Sequence, residues 1–363
     1  MGPSRDGHRP GLELLRGLAA LAVCLGHVRA FLLPPFRSGG YAGWETPLFF
    51  FSAQGEVAVW IFLVLSGYLV GGSVLHRRAA GNWSWSDYLL RRGTRLWVVL
   101  VPALAVTWLC DASRGNEPAV SAGAMVTGVD YPHDARTLLG NLFFLQDVVV
   151  APYGSNTPLW SLAYEFWFYL LFPAVLVVMA DQGWWRRLVA VLLAGGILWL
   201  VGPRGWWLAI PWLSGAALAR YTMHRPGQVR PGPRGLPWGG LAAVLLLIPF
   251  LPAGGKFLAL PLVTVATAWT VWGESGRPEL AGLPVVWLGK ISYTLYAVHM
   301  PIAVLLTSAV AGPGLLVAGP GRWLVVLGVT AALVLLACPL WWAFEGRTEA
   351  IRVALKRRLP LAP

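Results

Sequence analysis

Arg16 and His27 lie eleven residues apart in one apolar run near the start of the chain. In an α-helix, eleven residues make three turns plus about 20°, so both side chains would point the same way, about 16 Å apart along the axis. Ionisable groups within a membrane-spanning segment are costly and are usually functional. This helix face therefore offers a fixed cation and a neutral imidazole, the usual general base of enzymes. A snorkelling arginine and a hydrogen-bonded structural histidine would produce the same pattern.

Glu165 is the only carboxylate well inside a predicted span, in the stretch TPLWSLAYEFWFYLLFP (157–173). Ser161 precedes it by four residues and shares its helix face. This span would run from outside to inside, which places Glu165 at a depth close to that of His27. A carboxylate beside a histidine in a low-dielectric bundle stabilises the imidazolium, so the two could act as base and orienting group. The alternative is a structural hydrogen bond from Glu165 to another helix.

A third polar face occurs in ISYTLYAVHMPI (291–302), where Ser292, Tyr296 and His299 follow helical spacing. A buried core histidine is the alternative for His299. Tyr296, or Ser66 in the second predicted span, could donate a hydrogen bond to a developing oxyanion. Ser66 and the glycine after it also form a small break in that span, which permits close approach of another helix or a ligand.

Arg91, Arg92 and Arg95 crowd the start of the third predicted span, in DYLLRRGTRLWVVLVP (87–102). Arg92 and Arg95 are neighbours one helical turn apart. Because guanidinium groups bind phosphate through paired hydrogen bonds, this spacing suits a phosphate-bearing ligand. A plain cytoplasmic anchor for the span would carry the same charges.

The elements that must position these groups are predicted to be membrane-spanning helices. Of the 363 residues, 57% are hydrophobic and only 12% are charged, about half the charged fraction of a soluble domain. Long apolar blocks separated by short basic or Gly/Pro-rich stretches are typical of a polytopic α-helical membrane protein. The net charge of +12 does not indicate nucleic acid, since the arginines lie at the ends of apolar runs. The three cysteines form neither a disulfide framework nor a ligand cluster, so no metal site is predicted.

Ten spans are predicted, which make an all-α transmembrane bundle surrounded by membrane lipid. They cover 12–33, 57–75, 94–110, 157–179, 187–201, 206–219, 239–251, 257–272, 289–310 and 323–344. With the N-terminus inside, 21 of the 28 Lys and Arg residues fall on the inner side. Both termini are therefore predicted to be cytoplasmic, in a multi-pass protein of the cell (plasma or inner) membrane. The apolar run 137–150 is short, so it is predicted to be interfacial or re-entrant within an outer loop.

Five stretches, in order, resemble the acyltransferase-3 family of integral membrane O-acyltransferases. They are ELLRGLAALAVCLGH (13–27), VAVWIFLVLSGYLV (57–70), YLLRRGTRLWVVLVP (88–102), TPLWSLAYEFWFYLLFP (157–173) and ISYTLYAVHMPI (291–302). The resemblance implies transfer of an acyl group, usually acetyl, from cytoplasmic acyl-CoA to a hydroxyl of a sugar, surface glycan or glycosylated natural product. Acyl-CoA would be a co-substrate, with no bound cofactor and no nucleic-acid partner. The transmembrane acyltransferase domain would cover residues 1–346.

By resemblance, Arg16 and His27 carry the motif that activity needs, and Arg92 and Arg95 meet the phosphates of coenzyme A. Glu165 matches the family's acid in its WSL-x-x-E stretch, although the segment EFWFY departs from the common acidic, Gln-containing version. The resulting hypothesis is that acyl-CoA is held by the three arginines. His27 then takes the proton of the acceptor hydroxyl as it attacks the thioester, while Glu165 orients the imidazole.

Two further expectations concern the end of the chain and the class of the protein. Many family members carry a second, esterase-like domain after the last span, whereas residues 347–363 are predicted to be a short basic cytoplasmic tail with an amphipathic helix. We therefore expect transfer to be completed within the membrane domain or with a separate partner. A membrane transporter is the alternative, in which intramembrane His, Glu and Arg groups relay protons or bind an anion. Consumption of acyl-CoA that depends on His27 would discriminate between the two.

Overall fold

The computed structural model describes residues 9–36, 40–114, 132–180, 183–224, 233, 235–251, 255–274, 284–311, 319 and 321–358. These residues form helices joined by turns, and no β-strand occurs among them. The all-α prediction is therefore confirmed. The helices are α1 (Pro10–Leu32), α2 (Glu45–Ser52), α3 (Gly55–Ser66), α4 (Gly72–Ala79), α5 (Trp85–Arg114), α6 (Ala135–Leu142), α7 (Trp160–Met179), α8 (Trp184–His224), α9 (Gly235–Leu247), α10 (Lys256–Glu274), α11 (Pro284–Ala311), α12 (Gly321–Ala343) and α13 (Thr348–Arg358).

Eight helical segments of the described chain are long and apolar enough to cross a membrane. They are Pro10–Leu32, Gly55–Ala79, Trp85–Arg114, Thr157–Met179, Trp184–His224, Phe257–Glu274, Trp287–Ala311 and Gly321–Arg358. The 41-residue helix α8 is broken at Gly202, where φ is 59° and ψ is −168°, a conformation that glycine tolerates. Its two arms coincide with the predicted spans 187–201 and 206–219. The predicted span 239–251 falls on the shorter apolar helix α9, so the count of ten stays a prediction.

Helix α1 lies along α11, and this contact positions the two membrane-embedded histidines. Towards one end of the pair the backbones touch, since a Cβ at Gly17 or at Gly289 would overlap backbone atoms of the facing helix. Further along, the ring centroids of His27 and His299 are 5.1 Å apart. The absence of side chains at the two glycines lets the helices approach each other, and this approach brings the histidines together.

The small break predicted at Ser66 is a crossing point between α3 and α8. The chain makes one π-helical turn over Gly67–Gly71, directly after α3. A Cβ at Gly67 would overlap the backbone carbonyl of Trp212, and a Cβ at Gly215 would overlap the backbone of α3. No side chain separates the two helices at these glycines, so the prediction of a close helix approach is confirmed.

Substitution Gly67→Ala should destabilise the bundle by about 1–3 kcal/mol or more, because the added methyl group meets backbone atoms that cannot rotate away. Thermal unfolding in detergent micelles would show a lower midpoint. Gly196→Ala in α8 is the matched control, since a Cβ there meets nothing within 4 Å. The control should be neutral or slightly stabilising, as alanine favours a helix interior. An equal loss in both variants would contradict the crossing as the cause.

A buried ion pair ties α2 to the start of α12. Arg322 Nε donates to Glu45 Oε1 at 2.8 Å, and its Nη2 donates to Glu45 Oε2 at 2.7 Å. Trp323 Nε1 donates to the same carboxylate at 2.8 Å. The Arg322 guanidinium also lies 4.2 Å from the ring centroid of Tyr41. Only 3% of each charged side chain is exposed. This buried bidentate pair therefore holds α2, the helix that follows α1, against the start of α12.

The apolar run 137–150 contains no helix long enough to cross a membrane. Its first part lies in the short helix α6, where the Asp134 carboxylate accepts the backbone N–H of Thr137 at 2.9 Å. This hydrogen bond lowers the pKa of the Asp134 carboxyl. The rest of the run turns sharply, with positive φ at Phe144 (58°) and Asp147 (64°). An interfacial or re-entrant position for this segment stays a prediction.

Candidate active site

A narrow cavity of about 100 Å³ lies among α1, α3, α5, α7 and α11. Six of the eight predicted site residues line it: Arg16, Ser66, Arg92, Arg95, Glu165 and Tyr296. These residues come from five helices that are distant along the chain, so the fold brings separate motifs to one place. The other two predicted site residues, His27 and His299, do not line this cavity.

A wider cavity of about 1000 Å³ opens next to the narrow one. The two cavities share Leu69, Arg92 and Arg95 in their walls, so they meet at the arginine pair. Apart from His76, the ionisable side chains that line the wide cavity are those of Tyr68, six arginines and one carboxylate. The charged ones are Arg9, Arg77, Arg91, Arg92, Arg95, Arg352 and Glu13. This excess of positive charge would attract an anionic ligand.

The arginine pair at the junction is held by aromatic rings. Arg92 Nη2 donates to Ser73 Oγ at 2.9 Å, and the guanidinium lies 5.8 Å from the ring centroid of Tyr169. The Arg95 guanidinium lies 5.9 Å from the centroid of Tyr293. Among the described residues no carboxylate pairs with either arginine, and Arg92 Nε is buried without an acceptor. Both guanidinium groups therefore keep donors for an anion.

Arg16 supplies a third cation to the narrow cavity. Its Nη1 lies 3.3 Å from Oε1 of Glu13, one turn earlier on α1, and Glu13 itself lines the wide cavity. The pair is within hydrogen-bond distance but at its long end. An anionic ligand that enters through the wide cavity would therefore compete with Glu13 for Arg16.

A hydrogen-bond chain joins Glu165 to Ser66 across the narrow cavity. Tyr169 donates its hydroxyl proton to Glu165 Oε1 at 2.6 Å, and its oxygen lies 3.3 Å from Ser66 Oγ. Trp212 Nε1 donates to Ser66 Oγ at 3.2 Å. Because the Tyr169 proton is used on Glu165 and an indole can only donate, the Ser66 proton points to Tyr169 or to a ligand. Ser66 therefore remains a candidate donor to an oxyanion.

Tyr296 is less suited to that role. Its hydroxyl lies 2.8 Å from the backbone carbonyl oxygen of Pro158 and 2.6 Å from Ser161 Oγ. The Ser161 hydroxyl also lies 3.4 Å from that carbonyl oxygen, so the Tyr296 proton is used on either Pro158 or Ser161. Donation from Tyr296 to an oxyanion would require one of these two hydrogen bonds to break.

His27 and His299 form a hydrogen-bonded pair with a defined direction. His299 is fully buried, and its Nδ1 lies 2.6 Å from the carbonyl oxygen of Tyr296. Since that oxygen can only accept, Nδ1 carries a proton and Nε2 of the neutral ring is an acceptor. His27 Nδ1 lies 3.1 Å from this Nε2 and must donate to it. The lone pair of His27 is then on Nε2, as a general base requires.

The hydrogen-bond partner of His27 is His299, where the sequence hypothesis expected Glu165. No hydrogen bond joins Glu165 to His27, both of which lie in the described ranges, and the carboxylate accepts from Tyr169 instead. Both candidates are polar residues inside predicted spans. Their depth along separate helices does not reveal which one faces α1, because that depends on how the helices rotate and pack.

The histidine pair lies next to one end of the narrow cavity. The ring centroid of Tyr296, which lines that cavity, is 5.7 Å from that of His299 and 5.7 Å from that of Phe62. Tyr293 beside Arg95, Tyr296 in the cavity wall and His299 follow one another along α11 at nearly one-turn spacing. The histidine pair therefore lies next to the cavity wall, on the side of Tyr296 that faces away from Arg95.

Two tyrosines of the cavity were not identified from the sequence. Tyr169 bonds both Glu165 and Ser66, and the Tyr293 hydroxyl is buried without a partner among the described residues. Tyr169 follows Glu165 by one turn and Tyr293 precedes Tyr296 by nearly one turn, so helical spacing from known candidates would have found both.

No group of three or more His, Cys, Asp or Glu side chains in the described ranges could hold a metal ion. The three cysteines, Cys24, Cys110 and Cys338, are all free thiols.

The chain is similar to several curated proteins. It is 24% identical over 368 residues to a peptidoglycan O-acetyltransferase of Listeria monocytogenes, with 90% of this chain and 53% of the relative covered. It is 26% identical over 411 residues to nodulation protein 10 of Rhizobium leguminosarum, with 100% of both covered. A Streptomyces mycarofaciens acyltransferase is 28% identical over 197 residues, with 54% of this chain and 44% of the relative covered. The chain spans about half the length of the Listeria relative, and no solved structure matches it.

The match to a family model covers nearly the whole described bundle. The model, described as an acyltransferase domain of the acyltransferase-3 family, matches residues 9–342. That range contains all eight predicted site residues, so the resemblance seen in five separate stretches is confirmed. Together with the eight apolar helices, it identifies a multi-pass membrane protein. The chain belongs to the acyltransferase-3 family.

Proposed function

We propose that this protein is a membrane-embedded O-acyltransferase that moves an acyl group from cytoplasmic acyl-CoA to a hydroxyl of a carbohydrate or glycosylated small molecule. The observation that carries the proposal is the arrangement of groups along one path. A wide basic cavity meets a narrow cavity at an arginine pair, and a histidine pair lies beside the narrow cavity at Tyr296. The relative named as a peptidoglycan O-acetyltransferase supports acetyl as the acyl group and a glycan as the acceptor class.

The donor end of the path suits a coenzyme A thioester. Its phosphates would meet Arg92 and Arg95, which have donors to spare, and Arg16 where it faces the narrow cavity. The wide cavity, of about 1000 Å³, offers room for the nucleotide portion. The thioester would then extend through the narrow cavity towards Tyr296. Because positive charge favours the cytoplasmic side, we place the wide cavity at that side.

The reaction would use His27 as the general base. Its Nε2 takes the proton of the acceptor hydroxyl while the hydroxyl oxygen attacks the thioester carbonyl, forming a C–O bond. The resulting oxyanion accepts a hydrogen bond from Ser66. Collapse of the intermediate breaks the C–S bond, and the coenzyme A thiolate takes the proton from the imidazolium. His299 holds the neutral ring in the tautomer that this step needs.

Glu165 is a second candidate for the base, since its carboxylate lines the narrow cavity itself. As a carboxylate it would accept the hydroxyl proton directly, with Tyr169 bound to one of its oxygens. The two assignments differ in which substitution removes turnover. If the histidine is the base, His27→Gln removes turnover. If the carboxylate is the base, Glu165→Gln removes it.

The function is tested in cells that express the wild type or the His27→Ala variant at matched membrane levels. The cells are fed labelled acetate, and acylated glycans, lipids and secreted small molecules are compared by mass spectrometry. We expect an acetyl-sized mass gain on a hydroxyl-bearing molecule with the wild type alone, which would also identify the acceptor. If no fraction carries His27-dependent label while both proteins are folded, the transporter interpretation or a different acyl donor is favoured instead.

A further inference from the structure

A third cavity, of about 390 Å³, opens between α13 and the start of α5. Its charged lining residues are Arg77, Asp87, Arg91, Arg352 and Lys356. Arg77, Arg91 and Arg352 also line the wide cavity, so the two spaces share a wall. The end of the chain therefore contributes to the pocket that we assign to the acyl donor.

Helix α13 is held against the bundle by specific contacts. Lys356 Nζ lies 3.4 Å from Asp87 Oδ1, and Arg352 precedes Lys356 by one turn on the same face. Just before α13, Glu345 Oε2 accepts the Thr294 hydroxyl of α11 at 2.6 Å. A helix that only lay on a lipid surface would need none of these contacts.

The charges at this wall do not balance. Asp87 is the shared partner of Arg77, at 3.0 Å, and of Arg91 and Lys356. Arg352 pairs with Glu349, whose side chain is 68% exposed. Four cations thus face two carboxylates.

That excess of two positive charges would match a phosphate monoester, which carries about −1.5 to −2 at pH 7. Arg91 also lies close enough to Arg77, Arg92 and Arg352 for their charges to repel one another. A bound anion would relieve this repulsion.

We infer that α13 completes a phosphate subsite, in which Arg77, Arg91 and Arg352 hold the 3′-phosphate monoester at the nucleotide end of the acyl-CoA donor. The inference rests on the proposed function, and it adds a ligand contact from the tail that the sequence assigned only to a membrane surface. Arg92 and Arg95, which also line the wide cavity, remain for the diphosphate. An anionic lipid headgroup carries the same phosphate chemistry, so the test must separate the two sources.

The test measures binding of two thioesters to the full-length protein in nanodiscs of neutral phosphatidylcholine. Acetyl-CoA carries the 3′-phosphate, and 3′-dephospho-acetyl-CoA lacks it. We expect Arg352→Gln to weaken acetyl-CoA binding by about tenfold, as loss of a charge-assisted hydrogen bond predicts. The dephospho thioester should change by less than about twofold, since it lacks the group that Arg352 would contact. Arg357→Gln is the matched control, because Arg357 lies on the same helix and lines neither cavity.

Four outcomes would overturn the inference. The wild type could bind both thioesters equally, or Arg352→Gln could weaken both equally, and either result would exclude a 3′-phosphate contact. If the effect of Arg352→Gln appears only in nanodiscs that contain phosphatidylglycerol, the cluster binds a lipid headgroup. If the wild type binds neither thioester in any nanodisc, the acyl-CoA donor of the proposed function is itself wrong. The comparison of thioesters on the wild type needs no variant, so poor folding of a variant leaves that part of the test intact.

Discussion

Replacing His27 with glutamine is expected to lower the turnover of acyl transfer by about 10²–10⁴-fold, the range that a general base contributes. Acyl-CoA should still bind, because His27 lines neither the narrow nor the wide cavity. The effect should therefore appear in kcat, with the KM for acyl-CoA nearly unchanged. Purified protein with labelled acetyl-CoA and the identified acceptor gives both constants. A rise in KM at unchanged kcat would contradict the role of base and point to a contact with the donor.

His299 acts through His27, so His299→Gln should cause a smaller loss in kcat. Its effect should almost vanish when His27 is already replaced, because the two residues act as one unit. His224→Gln is a matched control on the end of α8, where the exposed ring is hydrogen-bonded to the backbone carbonyl of Arg220 on its own helix. If Glu165→Gln removes turnover while both variants of the histidine pair keep it, the base is the carboxylate.

Replacing Arg322 with methionine is expected to destabilise the fold by about 3–5 kcal/mol, because it leaves the Glu45 carboxylate buried without its partner. Both side chains are 3% exposed, so solvent screens the pair little. Reversible unfolding in mixed micelles would measure the change. The double variant Glu45→Leu with Arg322→Met should lose less than the sum of the single variants, since no charge is then left behind. If the losses of unfolding free energy in the single variants add up to the loss in the double variant, the two side chains contribute independently and the ion pair is not the cause.

The same ion pair gives a pH dependence with a definite sign. Burial raises the pKa of Glu45, but the hydrogen bonds from Arg322, Ala42 and Trp323 outweigh it and leave the pKa below its ordinary value of 4.5. A carboxyl whose pKa is lower in the folded state stabilises fully above that ordinary value. The contribution is lost as the pH falls through the lowered pKa. Unfolding measured from pH 7 downward should therefore show an acid-sensitive component that Glu45→Leu lacks.

Hydropathy and spacing predicted the helices and most of the cavity. Apolar runs marked the helices because a membrane span must satisfy its own backbone hydrogen bonds, which leaves composition as a strong signal. Arg16, Arg92 and Arg95 were found because a cation at the end of an apolar run is conspicuous. Even the break in α8 was anticipated as two short spans, although the glycine that permits it was not identified.

The pairing of His27 with His299 was not predictable in the same way. It depends on the contact between α1 and α11, and that contact depends on Gly17 and Gly289, which carry no charge and no periodic signal. Both histidines were candidates, yet hydropathy is the same whichever partner a buried ring meets. Rotation of a helix about its axis decides such contacts, and a single sequence records that rotation only weakly.

The crossing of α3 and α8 affects how far the Ser66 hydroxyl can move when the membrane changes. Side chains at most helix contacts can change rotamer, and so they absorb changes in bilayer thickness or temperature by repacking. At Gly67 and Gly215 no rotamers exist, so the local spacing of the two helices is set by the van der Waals radii of backbone atoms. Ser66 directly precedes Gly67, so its distance from α8 is fixed by the same backbone contact. We therefore expect its hydroxyl to keep its place relative to Trp212 in thick and thin membranes alike, while the lipid-facing helices tilt around it.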